Sequence, residues 1–160
     1  MIVTSDENIS SFFDKVLKFL SFRPRSEFEI NEYMLRKGWD EETRKKIMEK
    51  LKNLQLIDDE AFARQWLASR THFRPEGRSL VKKELRKKGI KREIIDQLLQ
   101  EERGSATEEM LAEKYARKKM ERLKSLPVLV AKRRLFSALL MRGFDNEIAK
   151  TVVDKLLERE

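Results

Sequence analysis

The 160-residue sequence contains no cysteine, three prolines and five glycines. Without cysteine the chain can form no disulfide, no thiolate metal site and no cysteine nucleophile. The scarcity of glycine and proline disfavours a β-rich or loop-rich fold. No apolar run approaches the roughly 20 residues that span a bilayer, and the N-terminus lacks the apolar core of a signal peptide. We therefore expect a cytoplasmic protein without a membrane segment.

The charged residues give the chain a net charge of +8. Charged and apolar residues each make up 40% of the sequence, which is typical of helices with one apolar and one solvated face. Residues 1–57 carry 11 basic and 10 acidic groups, residues 58–104 carry 12 and 9, and residues 105–160 carry 13 and 9. The basic excess therefore lies in the middle and C-terminal parts, where it would attract phosphate backbones or acidic protein surfaces.

Three glycine-centred turns reveal an internal repeat, with Gly38, Gly89 and Gly143 spaced 51 and 54 residues apart. Glycine readily takes the left-handed conformation that closes a helix. Apolar residues occupy the same positions around all three, namely Met34, Leu85 and Leu139 four before, Ile30, Val81 and Leu135 eight before, Ile47, Leu98 and Val152 nine after, and Met48, Leu99 and Val153 ten after. This helical spacing predicts one helix on each side of every turn.

A further helical segment precedes each turn pair, separated from it by a proline-containing break. We predict an all-α fold of three tandem three-helix, helix-turn-helix-like repeats that stack into an elongated, curved arc. The repeats cover residues 12–57, 58–104 and 105–160, after a tail of residues 1–11. Asp40 and Asp145 stand at the start of the last helix of their repeats and are predicted to cap it, whereas the middle repeat has Lys91 there.

Basic residues on the second and third repeats are the candidate binding residues. In the second repeat a helical wheel puts Lys82, Lys83 and Arg86 opposite the apolar face. The full candidate set is Arg70, Arg74, Arg78, Lys82, Lys83, Arg86, Lys118, Lys119, Arg133 and Arg134. Such cations could contact phosphates or an acidic groove, or they could form a face whose role is solubility.

Neither a catalytic nor a metal-binding constellation can be assembled from the sequence. His72 is the sole histidine and has no cysteine or second histidine to share a metal. No nucleophile stands with a plausible base, and no glycine-rich phosphate loop is present. The aromatic residues on the repeat register are predicted to be core; these are Trp39, Phe62, Trp66 and Phe144. We expect a protein that is not an enzyme and carries no cofactor.

Two stretches of the chain resemble the RecX family. Residues 56–63 are similar to its "L-x-D-D-x-x-F-A" segment, and residues 78–90 are similar to its basic helix ending in "E-L-x-x-K-G-I". Residues 25–40, within the first repeat, are similar to the family's opening unit. The resemblance implies a monomeric regulator of RecA that binds the groove of the RecA–single-stranded DNA filament and lowers its ATPase activity, strand exchange and growth.

Two other functions remain compatible with the residues alone. A tandem helix-turn-helix protein could bind DNA by itself without sequence preference, and a repeat adaptor could bind a different acidic protein. Measuring the affinity for free DNA across salt concentrations distinguishes the first of these from a RecA regulator. Tight binding that weakens steeply with salt would favour the stand-alone DNA binder. A failure to act on RecA filaments would favour the adaptor.

Overall fold

The computed structural model describes residues 6–158, and every regular element in that range is an α-helix. The helices are α1 (Asp6–Phe22), α2 (Glu27–Arg36), α3 (Glu41–Asn53), α4 (Asp59–His72), α5 (Arg78–Lys87), α6 (Arg92–Glu102), α7 (Ser105–Met120), α8 (Val128–Met141) and α9 (Asn146–Leu157). The prediction of an all-α fold is confirmed. Residues 1–5 of the predicted tail lie outside the described residues. Residues 6–11 belong to α1, because the apolar spacing of that helix continues back to Ile9, which packs on the core.

The three glycine turns have the predicted geometry. Gly38, Gly89 and Gly143 have φ of +77°, +73° and +88°. These values belong to the left-handed region, which residues with a side chain rarely adopt. In the first and third turns the amide after the glycine reaches back to close the helix, from Trp39 to the Met34 carbonyl and from Phe144 to the Leu139 carbonyl, both at 3.2 Å. The apolar register around the turns is buried at every predicted position except Met48, which is partly buried.

The helix caps also follow the sequence. The Asp40 carboxylate accepts a hydrogen bond from the Thr43 amide, and the Asp145 carboxylate accepts one from the Ile148 amide, each at 2.9 Å. Lys91 offers no side-chain cap to α6, as its residue type predicts. A further cap is at Ser26, whose hydroxyl accepts from the Glu29 amide while Glu29 accepts from the Ser26 amide.

The chain forms two compact units. The first takes in residues up to Ala63 together with the turn Lys87–Ile90, and the second takes in Arg64–Arg86 and the chain from Lys91 onward. The first has a core of Phe13, Val16, Ile30, Met34, Ile47, Leu51 and Ile57. Trp39 packs against this core, its ring 4.4 Å from that of Phe12. The second has a core built from α7, α8 and α9, including Phe144.

Each unit contains the same packing contact between the start of one helix and a glycine turn. In the first unit, the Ser26 hydroxyl donates to the Lys88 carbonyl at 2.6 Å, and Phe28 lies so close to Gly89 that a Cβ there would be 2.3 Å from the Phe28 Cβ. In the second unit, the Gly77 amide donates to the Arg142 carbonyl at 2.9 Å, and a Cβ at Gly143 would be 2.4 Å from the Leu80 Cβ. We call this the helix-start contact.

A carboxylate completes the helix-start contact in both units. The Asp59 carboxylate accepts a hydrogen bond from the Glu27 amide at 2.9 Å, and the Glu108 carboxylate accepts one from the Arg78 amide at 3.0 Å. Glu27 and Arg78 are the first residues of α2 and α5. These first amides have no carbonyl partner inside their own helix. Each helix start is therefore stabilised by a glycine turn and an acidic side chain from elsewhere in the chain.

Glu29 adds an ionic tie to the contact of the first unit, which gives a prediction. Its carboxylate binds Arg23 at 2.7 Å and Lys88 at 2.9 Å. Burial opposes its ionisation, but hydrogen bonds from Arg23, Lys88 and the Ser26 amide outweigh that effect and lower the pKa of Glu29 from 4.5 to about 2. Because the folded pKa lies below the ordinary value, the stabilisation is complete above pH 4.5 and is lost as the pH falls towards 2.

We expect Glu29→Gln to lower the free energy of unfolding by about 1–2 kcal/mol at pH 7, with the deficit shrinking between pH 4.5 and 2. Urea unfolding at a series of pH values measures it. The control is Glu42→Gln, which removes an exposed partner of Lys46 and should cost less than about 0.5 kcal/mol. A Glu29→Gln deficit that does not change with pH would contradict the depressed pKa.

Candidate nucleic-acid interface

Arg70, the first predicted binding residue, is largely occupied within the second unit. Its Nε lies 2.9 Å from Glu84 Oε2 and 3.2 Å from Glu76 Oε2. Its guanidinium lies 4.4 Å from the centre of the Trp66 ring, whose indole nitrogen also donates to Glu84. The Arg70 side chain is 16% exposed. Because its guanidinium is already paired and mostly buried, Arg70 packs within the unit and is poorly placed to bind a partner.

The predicted stripe on α5 divides into paired and unpaired cations. The Lys82 ammonium binds Asp96 Oδ1 of α6 at 2.9 Å. Asp96 has a lowered pKa, chiefly because of its hydrogen bond from Lys82. Arg78, Lys83 and Arg86 are exposed, and their side chains form no ion pair with any described residue. The part of the stripe available to a partner is therefore these three residues.

Arg74, Lys118 and Lys119 of the candidate set come together in one cavity of the second unit, which we call the basic pocket. It has a volume of about 470 Å³. Its lining residues are His72, Phe73, Arg74, Pro75, Lys114, Tyr115, Lys118, Lys119, Arg122 and Arg142. The lining thus contains six lysines and arginines and no carboxylate. Such a cavity attracts anions of a size comparable to a nucleotide.

One wall of the basic pocket is a row of cations along α7 and the turn after it. Lys114 and Lys118 lie four residues apart on one face of α7, and Arg122 follows four residues later in the turn after the helix. Neither they nor Lys119 form an ion pair with a described residue. Like charges at this spacing repel by about 0.2–0.5 kcal/mol per pair. An anion bound along the row would relieve that repulsion.

The opposite wall is held in place by a carboxylate beneath the surface. Glu76 is buried and lies 3.2 Å from Arg74 Nε and 3.8 Å from Arg142 Nη1. The Arg142 guanidinium also lies 5.0 Å from the centre of the Tyr115 ring. Burial and the nearby charge of Glu84 raise the pKa of Glu76, while Arg70 and Arg74 oppose the shift. Glu76 therefore orients two pocket arginines without lining the pocket.

Phe73 lines the pocket but was not among the predicted binding residues, and the same is true of Lys114, Arg122 and Arg142. The Phe73 side chain is 88% exposed and lies among the cations of the lining. An exposed aromatic ring between basic side chains suits a nucleobase, which can stack on it while the phosphates meet the cations. The available signal was its position: Phe73 lies in the proline-containing break, outside the apolar register. The predicted core aromatics differ, since Phe62 and Phe144 are buried.

Arg133 and Arg134, the last predicted residues, lie on α8 and do not line the basic pocket. Both are exposed, and Arg133 lines a smaller groove with Lys132 and Lys150. Lys132, which the helical wheel puts on the apolar side, extends to Asp154 at 2.8 Å. Its charge is thus satisfied at the edge of the core.

The described residues contain no cluster of three or more histidine, aspartate or glutamate side chains that could hold a metal ion. Within residues 6–158, no helix is long and apolar enough to cross a membrane. The chemistry available in the basic pocket is recognition of an anion by cations and of a flat ring by Phe73.

Comparisons with known proteins identify the family. The profile described as "RecX, first three-helix domain" matches residues 13–51, and the one described as "RecX, second three-helix domain" matches residues 58–99. The regulatory protein RecX of Prosthecochloris aestuarii is 34% identical over 153 residues, covering 96% of this chain and 98% of the relative. That of Mycolicibacterium smegmatis is 34% identical over 148 residues, covering 90% and 78%.

Solved structures agree in fold. The crystal structure of RecX from Lactobacillus salivarius matches with a TM-score of 0.84 and 22% identity, over 98% of this chain and all of that one. A second crystal structure of a regulatory protein RecX matches with a TM-score of 0.80 and 26% identity, over 91% and 71%. On these similarities in sequence and fold, together with its three-helix units, the chain belongs to the RecX family of regulatory proteins.

Proposed function

We propose that this protein regulates RecA by binding along the groove of the RecA–single-stranded DNA filament, and that it lowers ATPase activity, strand exchange and filament growth. Membership of the RecX family supports a regulatory role. The observation that carries the proposal is the unpaired row of Lys114, Lys118 and Arg122 beside the exposed ring of Phe73. A filament offers this pocket a DNA strand alongside protein surface.

In the proposed complex the basic pocket binds the DNA strand. Lys114, Lys118 and Arg122 contact successive phosphates, and Phe73 stacks on one base. Stacking of this kind contributes about 1–3 kcal/mol per base. The ring needs a base with a free face, so the pocket favours single strands over duplex. The exposed cations Arg78, Lys83, Arg86, Arg133 and Arg134 extend the contact to further phosphates or to acidic protein surface.

The alternative function is DNA binding without RecA. The basic pocket supports this function as well, because its cations and Phe73 can contact free single-stranded DNA. Both functions predict a salt-dependent affinity for DNA, because bound phosphates release their counterions. They differ in what RecA adds. A RecA regulator acts on the filament at concentrations well below those at which it binds free single strands, whereas a stand-alone binder gains nothing from the filament.

The test is a titration of RecA ATPase activity on single-stranded DNA with the protein and a Lys118→Glu/Arg122→Glu variant. Reversing two unpaired charges should raise the concentration for half-inhibition by about 10- to 100-fold, on the scale of losing several phosphate contacts. The control is Lys18→Glu/Arg36→Glu, which makes the same change in net charge at exposed residues of the first unit. That control should change the half-inhibition concentration by less than about threefold.

Phe73→Ala separates DNA contact from protein contact in the same assay. It should weaken binding to a single-stranded oligonucleotide by about 5- to 100-fold, the range expected for one lost stack, and leave binding to duplex unchanged. Absence of any effect of the protein on RecA would reject the regulatory function. Equal inhibition by the protein and the Lys118→Glu/Arg122→Glu variant would reject the basic pocket as its contact surface.

A further inference from the structure

A second cavity of the second unit lies between α8 and α9 and shares no lining residue with the basic pocket. We call it the α8–α9 groove; its volume is about 330 Å³. Its lining residues are Leu129, Lys132, Arg133, Phe136, Lys150, Val153 and Asp154. The apolar members are Leu129, Phe136 and Val153, of which Val153 is buried, whereas the charged members are mainly cations. This combination differs from the basic pocket, which has little aliphatic surface.

The charges of the groove leave two cations available. Lys132 is held by the single carboxylate of the lining, Asp154, at 2.8 Å. The hydrogen bond to Asp154 is the main cause of the raised pKa of Lys132. Arg133 and Lys150 are exposed and form no ion pair with a described residue. An occupant of the groove therefore meets two unpaired positive charges, one from each helix.

The start of α8 supplies the exposed apolar part. Val128 and Leu129 are 66% and 78% exposed. Val128 begins α8 15 residues before Gly143, whereas Glu27 and Arg78 begin α2 and α5 11 residues before Gly38 and Gly89. The additional turn of α8 is the apolar run of residues 128–131. Because the two side chains are adjacent, they form an exposed apolar patch of the kind that interaction sites carry.

The helix-start contacts of the two units indicate what covers a surface of this kind. The starts of α2 and α5 each carry an apolar residue packed on another segment, Phe28 on Gly89 and Leu80 on Gly143. Each also meets a carboxylate, Asp59 or Glu108. The start of α8 carries Leu129 at the second position after its cap, as Phe28 does in α2, but no described residue provides the apolar cover or the carboxylate.

We propose that the α8–α9 groove binds an acidic peptide segment of a partner protein that carries an apolar side chain. The apolar side chain packs on Leu129 and Phe136, and the acidic side chains pair with Arg133 and Lys150. A purely apolar partner would leave those two cations desolvated and unpaired, which is costly. A nucleic acid would leave Leu129 and Val128 facing water. The groove shares no lining residue with the basic pocket, and Arg133 is the one groove residue that the proposed function also uses. The peptide proposal itself does not depend on RecA or DNA.

The experiment measures fluorescence anisotropy of a short labelled peptide of Asp and Glu residues with one Leu and one Phe near its centre. A second labelled peptide has Ala in place of the Leu and the Phe. The protein, Arg133→Glu/Lys150→Glu, Leu129→Ser and Lys18→Glu/Arg36→Glu are compared. The last variant matches the charge change at residues far along the chain from the groove, and circular dichroism verifies that all variants are folded.

The proposal expects the protein to bind the Leu/Phe peptide at least about tenfold more tightly than the Ala peptide, since two apolar side chains are buried. Arg133→Glu/Lys150→Glu should lose about tenfold or more, as two rim charges are reversed. Leu129→Ser should weaken binding of the Leu/Phe peptide and leave binding of the Ala peptide unchanged.

Lys18→Glu/Arg36→Glu should leave both affinities unchanged. Equal affinity for the two peptides, or equal losses in both charge-reversal variants, would reduce the effect to general attraction of acidic chains and overturn the proposal. If Arg133→Glu/Lys150→Glu bound the Leu/Phe peptide as tightly as the unmodified protein but bound a single-stranded oligonucleotide more weakly, the proposal would be overturned. The groove would then be a nucleic-acid site.

Discussion

Replacing Arg103 with methionine is expected to lower the free energy of unfolding by about 3–5 kcal/mol, the range for breaking a buried ion pair from one side. Arg103 is 1% exposed and lies 2.6 Å from the buried carboxylate of Glu108. It also donates to the Glu76 carbonyl at 2.8 Å and to the Thr71 hydroxyl at 3.0 Å. Methionine fills the space but leaves the Glu108 charge without its cation.

A double variant distinguishes an unpaired charge from lost packing. Arg103→Met/Glu108→Gln removes both charges, and the glutamine can still accept from the Arg78 amide, which binds Glu108 at 3.0 Å. It should recover about half of the loss, because a neutral pair needs no desolvated charge. Urea unfolding followed by circular dichroism measures all variants. Arg117→Ala, which removes an exposed partner of Glu113, serves as the control and should cost less than about 1 kcal/mol.

If Arg103→Met lost less than about 1 kcal/mol, the pair would have no more effect than a surface ion pair. If the double variant were as unstable as Arg103→Met, the loss would come from packing and from the bonds to Glu76 and Thr71. Either result would contradict the account of Arg103 as the cation that neutralises Glu108.

Replacing Gly77 with alanine is expected to lower the free energy of unfolding by about 3 kcal/mol, at the upper end for forced overpacking. A Cβ at Gly77 would lie 2.2 Å from both the carbonyl carbon and the oxygen of Gly143, and 2.4 Å from the Phe144 nitrogen. These are backbone atoms of a helix end and cannot rotate away. The helix-start contact of the second unit would have to separate.

Gly104→Ala is the matched control for this variant. Gly104 also precedes a helix, has an ordinary φ of −69°, and would place its Cβ where no heavy atom lies within 4 Å. The reduced freedom of the unfolded chain and the weaker N-cap should nearly cancel, for a change within about 0.5 kcal/mol. Thermal and urea unfolding test the pair. A Gly77→Ala variant as stable as Gly104→Ala would mean that α5 can start without the close approach.

The helices and their buried faces could be predicted from the sequence because they depend on local spacing. Met34, Leu85 and Leu139 are all fully buried, since a residue four positions before a helix-closing glycine always lies on the same face of its helix. The burial of Arg103 could not be predicted in this way. A single-sequence pattern treats arginine as a surface residue, whereas the burial of Arg103, just after α6, depends on Glu108 in α7 and Thr71 in α4.

The sequence predicted part of the candidate site's composition, namely Arg74, Lys118 and Lys119, but not its arrangement. The sequence identified Arg70 and Lys82 as cations, but their partners, Glu84 and Asp96, are 14 residues away and reach them across helix pairs. The sequence also contains no rule that brings Arg142 to Arg74. The distances between these side chains depend on how the helices pack. Which cations form ion pairs and which remain exposed could therefore be learned only from the structure.

The turn Lys87–Ile90 belongs to the first unit, although the segments on both sides of it belong to the second. The polypeptide thus leaves the first unit after Ala63, returns for this turn and leaves again. A fragment ending at Ala63 would lack the Gly89 turn on which Phe28 packs, and a fragment starting there would carry that turn without its partner. No single cut separates this protein into two complete halves, so neither unit can be exchanged or removed as a cassette.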